Sequence, residues 1–133
     1  MKMTKSFWND IPNFKPAEFK CKCGCEAECS DMDALLVVML QNARLKWGKP
    51  ITVTSGHRCT KYNNSLLSKG AVKNSYHVKK KAADFFIPGV TDTEKGRKEV
   101  AKWLKAQAGY RNCYYMYDGK YTWMGNAIHV EVK

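Results

Sequence analysis

The fold is decided by the stretch Ser75-Tyr76-His77-Val78-Lys79-Lys80-Lys81-Ala82-Ala83-Asp84-Phe85-Phe86. An apolar run at its end is typical of a buried strand, and Asp84 lies inside that run. A charge there is costly to bury unless it is paired or bound to a metal, and His77 is the nearest candidate partner. A second strand-like run, residues 127–132, contains His129. The pattern predicts a zinc site of His77, Asp84 and His129 with an open fourth position, the layout of catalytic zinc.

The composition is that of a folded protein. The chain has 133 residues, of which 44% are hydrophobic and 12% aromatic, so it can bury a real core and is not a disordered chain. We expect a single domain over residues 1–133, in which residues 1–30 form an N-terminal arm and a cysteine-rich loop. We also expect a monomer.

The chain is strongly basic, with 23 Lys and Arg against 12 Asp and Glu and a formal net charge of +11. Such a charge attracts polyanions, including nucleic acid, anionic membranes and anionic cell-wall polymers. The basic residues are scattered rather than gathered on one helix, so nucleic acid is not the expected partner. The N-terminus lacks the apolar core of a secretory signal and no segment is long enough for a membrane span, which predicts synthesis in the cytoplasm.

Apolar patterning predicts an α+β fold in which a small antiparallel sheet carries the zinc site and two main helices flank it. The first helix is expected to begin near Ser30 or Asp31 and to end at Gly48, and the second to open at residues 91–93 and end at Gly109. The predicted strands are 51–54, 82–87, 111–117, 121–124 and 127–132. Asp118-Gly119 predicts a hairpin turn, because both residues tolerate positive φ.

Several short motifs occur in order along most of the chain. They are Thr54-Ser55-Gly56-His57-Arg58-Cys59, Asn64, Gly70-Ala71, Ser75-Tyr76-His77, Ala83-Asp84 and Ile128-His129-Val130-Glu131. In order and spacing they resemble the zinc D-Ala-D-Ala carboxypeptidase family, which includes phage and bacterial L-alanyl-D-glutamate endopeptidases and the related Hedgehog signalling domain. Any one of these motifs is a weak signal, whereas their agreement in order is fairly specific. Residues 16–25 also resemble the segment that leads into the first helix of many phage members.

The resemblance implies a zinc metallopeptidase in which His77, Asp84 and His129 hold the ion and a water takes the fourth position. The implied reaction is hydrolysis of an amide bond in bacterial peptidoglycan stem peptides, by an endolysin-like L-Ala-D-Glu endopeptidase or a D,D-carboxypeptidase. The expected setting is the cell wall, reached after release from the cell or as part of a phage particle. The positive charge suits a polyanionic wall.

The resemblance also implies roles for residues around the zinc. Arg58 matches the family arginine at the edge of the site, where a guanidinium can hold a substrate carboxylate or carbonyl, with a structural salt bridge as the alternative. Ser75 is expected to contact the peptide or to steady its own loop. The run Lys79-Lys80-Lys81 makes the rim cationic, which suits an acidic peptide but equally describes a solvated loop.

The general base is the least determined role. Family members commonly place an acid shortly before the last histidine, where this chain has Asn126, which cannot take a proton from water. We favour Glu131 as the base because it shares a strand face with His129, and Asp118 in the predicted hairpin turn is the other candidate. Glu131 could instead orient a ligand histidine. The missing acid leaves open a second interpretation, a zinc-containing wall-binding module without catalytic activity.

The cysteines allow three states. Four of the six lie within nine positions: Cys21, Cys23, Cys25 and Cys29. They could form a second, structural zinc site, a disulfide with Cys59 or Cys113, or a set of free thiols. The spacing lacks the paired Cys-x2-Cys steps of common zinc modules, and without a secretory signal reduced thiols are expected at synthesis.

Overall fold

A computed structural model of the protein describes residues 2–26 and 28–133. These residues form the helices α1 (Ala34–Trp47), α2 (Thr60–Ser65) and α3 (Glu94–Lys105), and the strands β1 (Thr52–Ser55), β2 (Ala82–Phe86), β3 (Tyr110–Tyr115) and β4 (Ile128–Val132). Short 3-10 turns lie at Phe7–Asp10, Pro16–Phe19, Leu67–Lys69 and Thr122–Met124. The predicted α+β class with a small antiparallel sheet is confirmed. Within the described ranges, no helix is both long and apolar enough to cross a membrane.

The sheet brings distant parts of the sequence into one row. Its order is β1-β2-β4-β3, and every neighbouring pair of strands is antiparallel. Asp84 is paired with His129 at the centre, Ser55 is paired with Asp84 on one side, and Tyr114 is paired with His129 on the other. Residues that face each other across antiparallel strands point to the same side of the sheet. Serine, aspartate, histidine and tyrosine therefore line one transverse row.

Helix α1 covers the sheet with an apolar face. Its N-cap is Asp33, whose carboxylate accepts the backbone N–H of Leu35 at 2.9 Å, so the predicted cap at Ser30 or Asp31 is wrong. The predicted end at Gly48 is confirmed, with φ of 63° in the left-handed region that favours glycine. The helix thus starts two or three residues later than predicted, and Asp31 pairs with a lysine of the site loop.

The N-terminal arm packs into the same core as the helices. Ile11, Phe14 and Phe19 are buried in the cluster that also holds the inner faces of α1 and the sheet. The carbonyl of Phe19 accepts the backbone N–H of His57 at 2.8 Å, and a Cβ on Gly56 would lie 2.6 Å from Phe19 Cα. The arm and the segment after β1 are therefore in tight backbone contact, and only glycine fits at position 56.

For the segment after β3, one sequence prediction is confirmed and another is wrong. The turn at Asp118-Gly119 is confirmed, with φ of 48° and 75° and a bridge between Tyr117 and Lys120. A strand over residues 121–124 was predicted, but Tyr121 has a left-handed φ of 57° and is followed by the 3-10 turn Thr122–Met124. The chain coils over the sheet here instead of returning along it, which places aromatic side chains beside the central row.

Candidate metal centre and cleft

Three side chains with metal-binding atoms converge at the middle of the sheet. His77, Asp84 and His129 each offer one ligand atom, and these atoms lie within 4.8 Å of one another. Asp84 Oδ1 is 2.7 Å from His129 Nδ1 and 3.3 Å from His77 Nε2. Both histidines are buried. Strand β2 supplies the aspartate, β4 supplies one histidine, and the loop before β2 supplies the other. The three residues lie close together, as the sequence motifs predicted.

The ring of His77 is held in one tautomer. Its Nδ1 lies 2.7 Å from the carbonyl oxygen of Gly56, and because a carbonyl only accepts, Nδ1 must donate. Nε2 then carries a lone pair directed toward the carboxylate of Asp84, which is also an acceptor. Among the described residues, His77 Nε2 is the one buried side-chain nitrogen or oxygen atom that has no hydrogen-bond partner. An orphaned buried lone pair facing a carboxylate indicates a place for a cation.

His129 lies between two carboxylates. Its Nδ1 faces Asp84 at 2.7 Å and its Nε2 faces Glu131 at 3.0 Å. Burial opposes protonation, but the hydrogen bonds to Asp84 and Glu131 outweigh it and raise the pKa of the imidazole. Either the ring carries a proton on both nitrogens, or a cation replaces the proton at Nδ1 while Nε2 keeps its bond to Glu131. The second state is the common arrangement of a metal-binding histidine.

Asp84 is ionised at neutral pH. Burial raises the pKa of its carboxyl, but the hydrogen bond from His129 and the neighbouring imidazoles outweigh burial and hold the pKa far below its usual range. Its second oxygen, Oδ2, lies 3.5 Å from Nη2 of Arg58. One aspartate oxygen therefore faces the histidines while the other faces the guanidinium.

The convergent atoms fit a zinc ion. Two imidazole nitrogens and one carboxylate oxygen are a donor set that zinc prefers, and bonds of about 2.0–2.1 Å in a tetrahedron place neighbouring ligands about 3.4 Å apart. The three side chains share the floor of a cleft, so the fourth direction opens to solvent. The cleft is also lined by Arg58 and Lys69 and by the apolar or aromatic residues Leu66, Val72, Tyr114, Trp123 and Met124.

Arg58 is anchored at the cleft wall. Its Nε donates to Ser55 Oγ at 3.1 Å, and Nη1 lies 3.5 Å from Asn63 Oδ1. With Asp84 as a third partner, the guanidinium is part of a salt bridge, as one interpretation of the sequence expected, and it also lines the cleft, as the other required. Its backbone N–H donates to the carbonyl of His77 at 3.1 Å, which ties the two loops together.

Ser75 and the lysine run shape the loop that carries His77. The buried hydroxyl of Ser75 accepts the backbone N–H of His77 at 3.1 Å, and Ser75 also lines the cleft. Lys80 pairs with Asp31 at 2.5 Å, and Lys81 lies 3.2 Å from Asp33. These two lysines fasten the loop to the segment before α1, while Lys69 is the lysine that lines the cleft.

The two candidate bases lie in different surroundings. Glu131 is 8% exposed, and its carboxylate contacts His129 Nε2 on one side and the guanidinium of Arg111 on the other. Burial raises its pKa, but the bonds and charges of His129 and Arg111 outweigh burial and lower it. Asp118 is an exposed turn residue whose backbone N–H donates to Glu94 at 2.9 Å, and it is not among the residues that line the cleft.

Sequence reasoning missed the aromatic wall of the site. The ring of Tyr114 stacks on His129, with centroids 4.2 Å apart and an angle of 14°, and Tyr121 stacks on Tyr114 at 5.4 Å. Burial raises the pKa of Tyr114 to about 12, so its hydroxyl keeps its proton. Trp123 is 65% exposed and forms the outer edge of the cleft. The density of tyrosine over residues 110–121 was the available signal, but the face each ring takes depends on strand register.

The comparison with protein families gives one match. The family described as Peptidase M15 matches residues 12–125, a range that contains His77 and Asp84 and ends just before His129. No curated protein and no solved structure matches the chain. M15 peptidases are zinc-dependent, and β4 supplies His129 to the two residues inside the matched range. The match covers most of the chain and agrees with the geometry of the metal centre, and the chain therefore belongs to the peptidase M15 family.

Proposed function

We propose that this protein is a zinc-dependent peptidase that hydrolyses an amide bond in the stem peptides of bacterial peptidoglycan, as an endolysin-like enzyme. The observation that carries the proposal is the convergence of lone pairs from His77, Asp84 and His129 at the floor of an open cleft. A zinc ion bound there would polarise the scissile carbonyl and make water a nucleophile near neutral pH. Family membership supports the peptidase activity and leaves the bond to be identified.

The cleft supports a substrate that carries negative charge. Arg58 and Lys69 line it, and no lining acid among the described residues accompanies Asp84, which already faces the histidines. A stem peptide offers carboxylates that a guanidinium can bind through paired hydrogen bonds. The apolar edge at Leu66, Val72 and Trp123 suits the methyl groups of alanine residues. We propose that Arg58 binds the peptide. We propose that Ser75 positions His77 by accepting its backbone N–H.

The net charge of +11 supports attachment of this domain to a polyanionic wall. Attachment of this kind weakens with ionic strength, because the Debye length falls to about 8 Å at 0.15 M salt. Cleavage of intact walls should therefore fall with added salt, whereas cleavage of a short soluble stem peptide should change far less.

We propose that Glu131 positions His129 instead of serving as the base. Its carboxylate is engaged by His129 Nε2 and Arg111, and Glu131 is not among the residues that line the cleft. By fixing the proton on Nε2, Glu131 leaves the Nδ1 lone pair for the metal. Asp118 has no contact with the cleft that would support proton transfer.

Product analysis tests the proposed reaction. The zinc-loaded protein is incubated with purified peptidoglycan and, separately, with soluble stem peptides, and the fragments are identified by mass spectrometry. A pair of fragments, one with a new carboxyl terminus and the other with a new amino terminus, identifies the cleaved bond, and the absence of this pair from reactions with the His129→Ala variant assigns the activity to this site. Intact peptides over the whole pH range, with zinc shown to be bound, would contradict the proposal.

One observation favours a second function. No free carboxylate lines the cleft in the part of the chain that the structure describes, so a zinc-containing module that binds the wall without cutting it is the alternative. This module would retain wall peptides on a column in a zinc-dependent manner and release no fragments. The product analysis above separates the two functions directly.

A further inference from the structure

A second cluster of metal-binding atoms lies outside the cleft. It consists of the sulfur atoms of Cys21, Cys23, Cys25 and Cys59, which all lie within 4.8 Å of one another. Three of these residues come from the loop after the 3-10 turn Pro16–Phe19, and Cys59 is the N-cap residue of α2. None of the four forms a disulfide. Two segments that are far apart in the sequence therefore present four thiols to one point.

The sulfur spacing is that of metal ligands. Cys21 Sγ is 3.3 Å from Cys23 Sγ, and Cys23 Sγ is 3.5 Å from Cys59 Sγ. Zinc–sulfur bonds of about 2.3 Å in a tetrahedron place the sulfurs about 3.8 Å apart. The sulfurs of a disulfide are only about 2.05 Å apart. The sulfur of Cys23 lies close to two other sulfurs, those of Cys21 and Cys59. A disulfide joins only two sulfurs, so this arrangement favours a shared metal ion.

The backbone around the cluster is arranged for thiolates. The N–H of Cys59 donates to Cys21 Sγ at 3.3 Å, and the N–H of Tyr62 donates to Cys59 Sγ at 3.4 Å. Backbone donors aimed at sulfur stabilise its negative charge. Gly24 has φ of 80° and its N–H donates to the carbonyl of Cys21 at 3.2 Å, which closes the turn that brings Cys21, Cys23 and Cys25 together.

We propose that these four cysteines bind a second, structural zinc ion. Four sulfur ligands complete a tetrahedral shell and leave no position for substrate, in contrast to the three-ligand site in the cleft. The site joins the N-terminal arm to the loop that follows β1. Because Arg58 immediately precedes Cys59, the ion fixes the backbone from which the guanidinium reaches Asp84.

A neighbouring group of possible metal ligands, Glu26, Cys29 and His57, is a weaker candidate for a metal site. His57 Nδ1 already bonds Glu26 Oε1 at 2.8 Å, and the same oxygen accepts the N–H of Cys21 at 3.1 Å. Cys29 Sγ lies 3.7 Å from Asp31. The Glu26 carboxylate and the His57 imidazole satisfy each other, and Cys29 has its partner in Asp31, so this set needs no ion of its own.

Metal counting on the full chain tests the proposal. Protein purified from zinc-supplemented medium under reducing conditions is analysed for zinc per chain and by native mass spectrometry. We expect two zinc ions in the natural chain, one in Cys23→Ser, one in His129→Ala, and two in the matched control Cys113→Ser. Cys23 is exposed, so its replacement by serine leaves no cavity.

Cobalt provides a readout that does not depend on peptidase activity or on the cleft. Replacing zinc by Co²⁺ should give intense thiolate-to-cobalt charge-transfer absorption in the natural chain and in His129→Ala, and this absorption should be lost in Cys23→Ser. A natural chain without that absorption, or one whose single zinc is lost in His129→Ala, would overturn the proposal. A thiol titration showing disulfides in place of free or metal-bound thiols would overturn it as well. Failure of stem-peptide cleavage leaves these signals unchanged and concerns only the proposed function.

Discussion

The cleft site and the cysteine cluster are both groups of metal-binding atoms, but they lie in different surroundings. Asp84 and His129 lie on the central strands of the sheet and His77 lies on the loop before β2, and partners such as the Gly56 carbonyl and Glu131 orient the histidines. Three of the cysteines lie on a loop and the fourth lies at the start of α2, and two of the four are exposed. Three ligands facing a cleft leave room for chemistry, whereas four ligands facing one another do not.

The difference teaches how the same ion can be used for reaction or for stability. In the buried site an uncompensated charge is expensive, so each ligand needs a second partner that fixes its tautomer or its charge. In the cysteine cluster, Cys23 and Cys25 are exposed, so water screens part of the charge, and backbone N–H groups stabilise the sulfurs of Cys21 and Cys59. Loss of the first ion should therefore abolish function, and loss of the second should mainly loosen the arm.

The largest expected effect separates the two sites by activity. His129→Ala should lower stem-peptide cleavage by at least roughly 10³-fold, because it removes a ligand of the ion that stabilises transition-state charge. Cys23→Ser should keep activity within about tenfold of the natural chain, because its ion only steadies the Arg58 loop. Rates on a soluble stem peptide measure both variants. Equal losses of cleavage rate in the two variants would contradict the assignment of one site to catalysis and the other to structure.

The next effect tests whether Glu131 positions His129. Glu131→Gln keeps an acceptor for Nε2–H and should cost less than about tenfold in rate, whereas Glu131→Ala should cost about 10–100-fold in activity and in zinc affinity. A general base would instead make both variants lose about 10²-fold or more with zinc still bound. Asp118→Asn is the matched control and should be unchanged. Steady-state rates together with zinc titrations decide between the two roles.

A third prediction concerns pH in the Cys23→Ser background, where only the buried site is left. Without metal, the raised pKa of His129 contributes stability below its unfolded value of about 6.5 and loses it as pH rises through the folded pKa. The depressed pKa of Asp84 contributes stability above about 3.9 and loses it only as pH falls through its folded pKa. Zinc replaces the proton at Nδ1, so its stabilisation should grow with pH.

Thermal unfolding with and without zinc measures how the stabilisation by zinc changes with pH. Measurements from about pH 5.5 to 8 cover the range in which histidine titrates. The zinc-induced rise in melting temperature should increase steadily across it. A rise that shrinks with increasing pH would mean that His129 is not a ligand of the ion.

The smallest effect concerns the backbone between the two sites. Gly56→Ala should lower the free energy of unfolding by about 1–3 kcal/mol, because the new Cβ meets the backbone of Phe19 and displaces the carbonyl that orients His77. Zinc affinity at the cleft should fall with it. Gly119→Ala, at a positive φ in open space, should cost stability without changing zinc affinity. Denaturant unfolding and zinc titration compare the two.

Local chemistry made part of this structure predictable from the sequence. Asp84 in an apolar run predicted a buried carboxylate with a partner, and Gly48 and Asp118-Gly119 predicted chain reversals, because burial cost and positive φ act within a few residues. The order of motifs predicted a zinc peptidase family, and the match to Peptidase M15 confirms that prediction at the level of the family.

Features that depend on tertiary contacts were not predictable. The stack of Tyr114 on His129 requires the register of β3 against β4, and the burial of Glu131 by Arg111 requires the same register. On α1, Leu45 is 67% exposed although it is apolar, because helical spacing alone does not fix how far the sheet extends beneath the helix. The fourth cysteine of the cluster, Cys59, became evident only through folding.

Anomalous diffraction at the zinc absorption edge, on crystals grown with zinc, tests the central claim most directly. The account predicts a peak within about 2.0–2.2 Å of His77 Nε2, an Asp84 carboxylate oxygen and His129 Nδ1, open toward the cleft. The absence of a peak at these three atoms, with zinc present in the crystal, would contradict it.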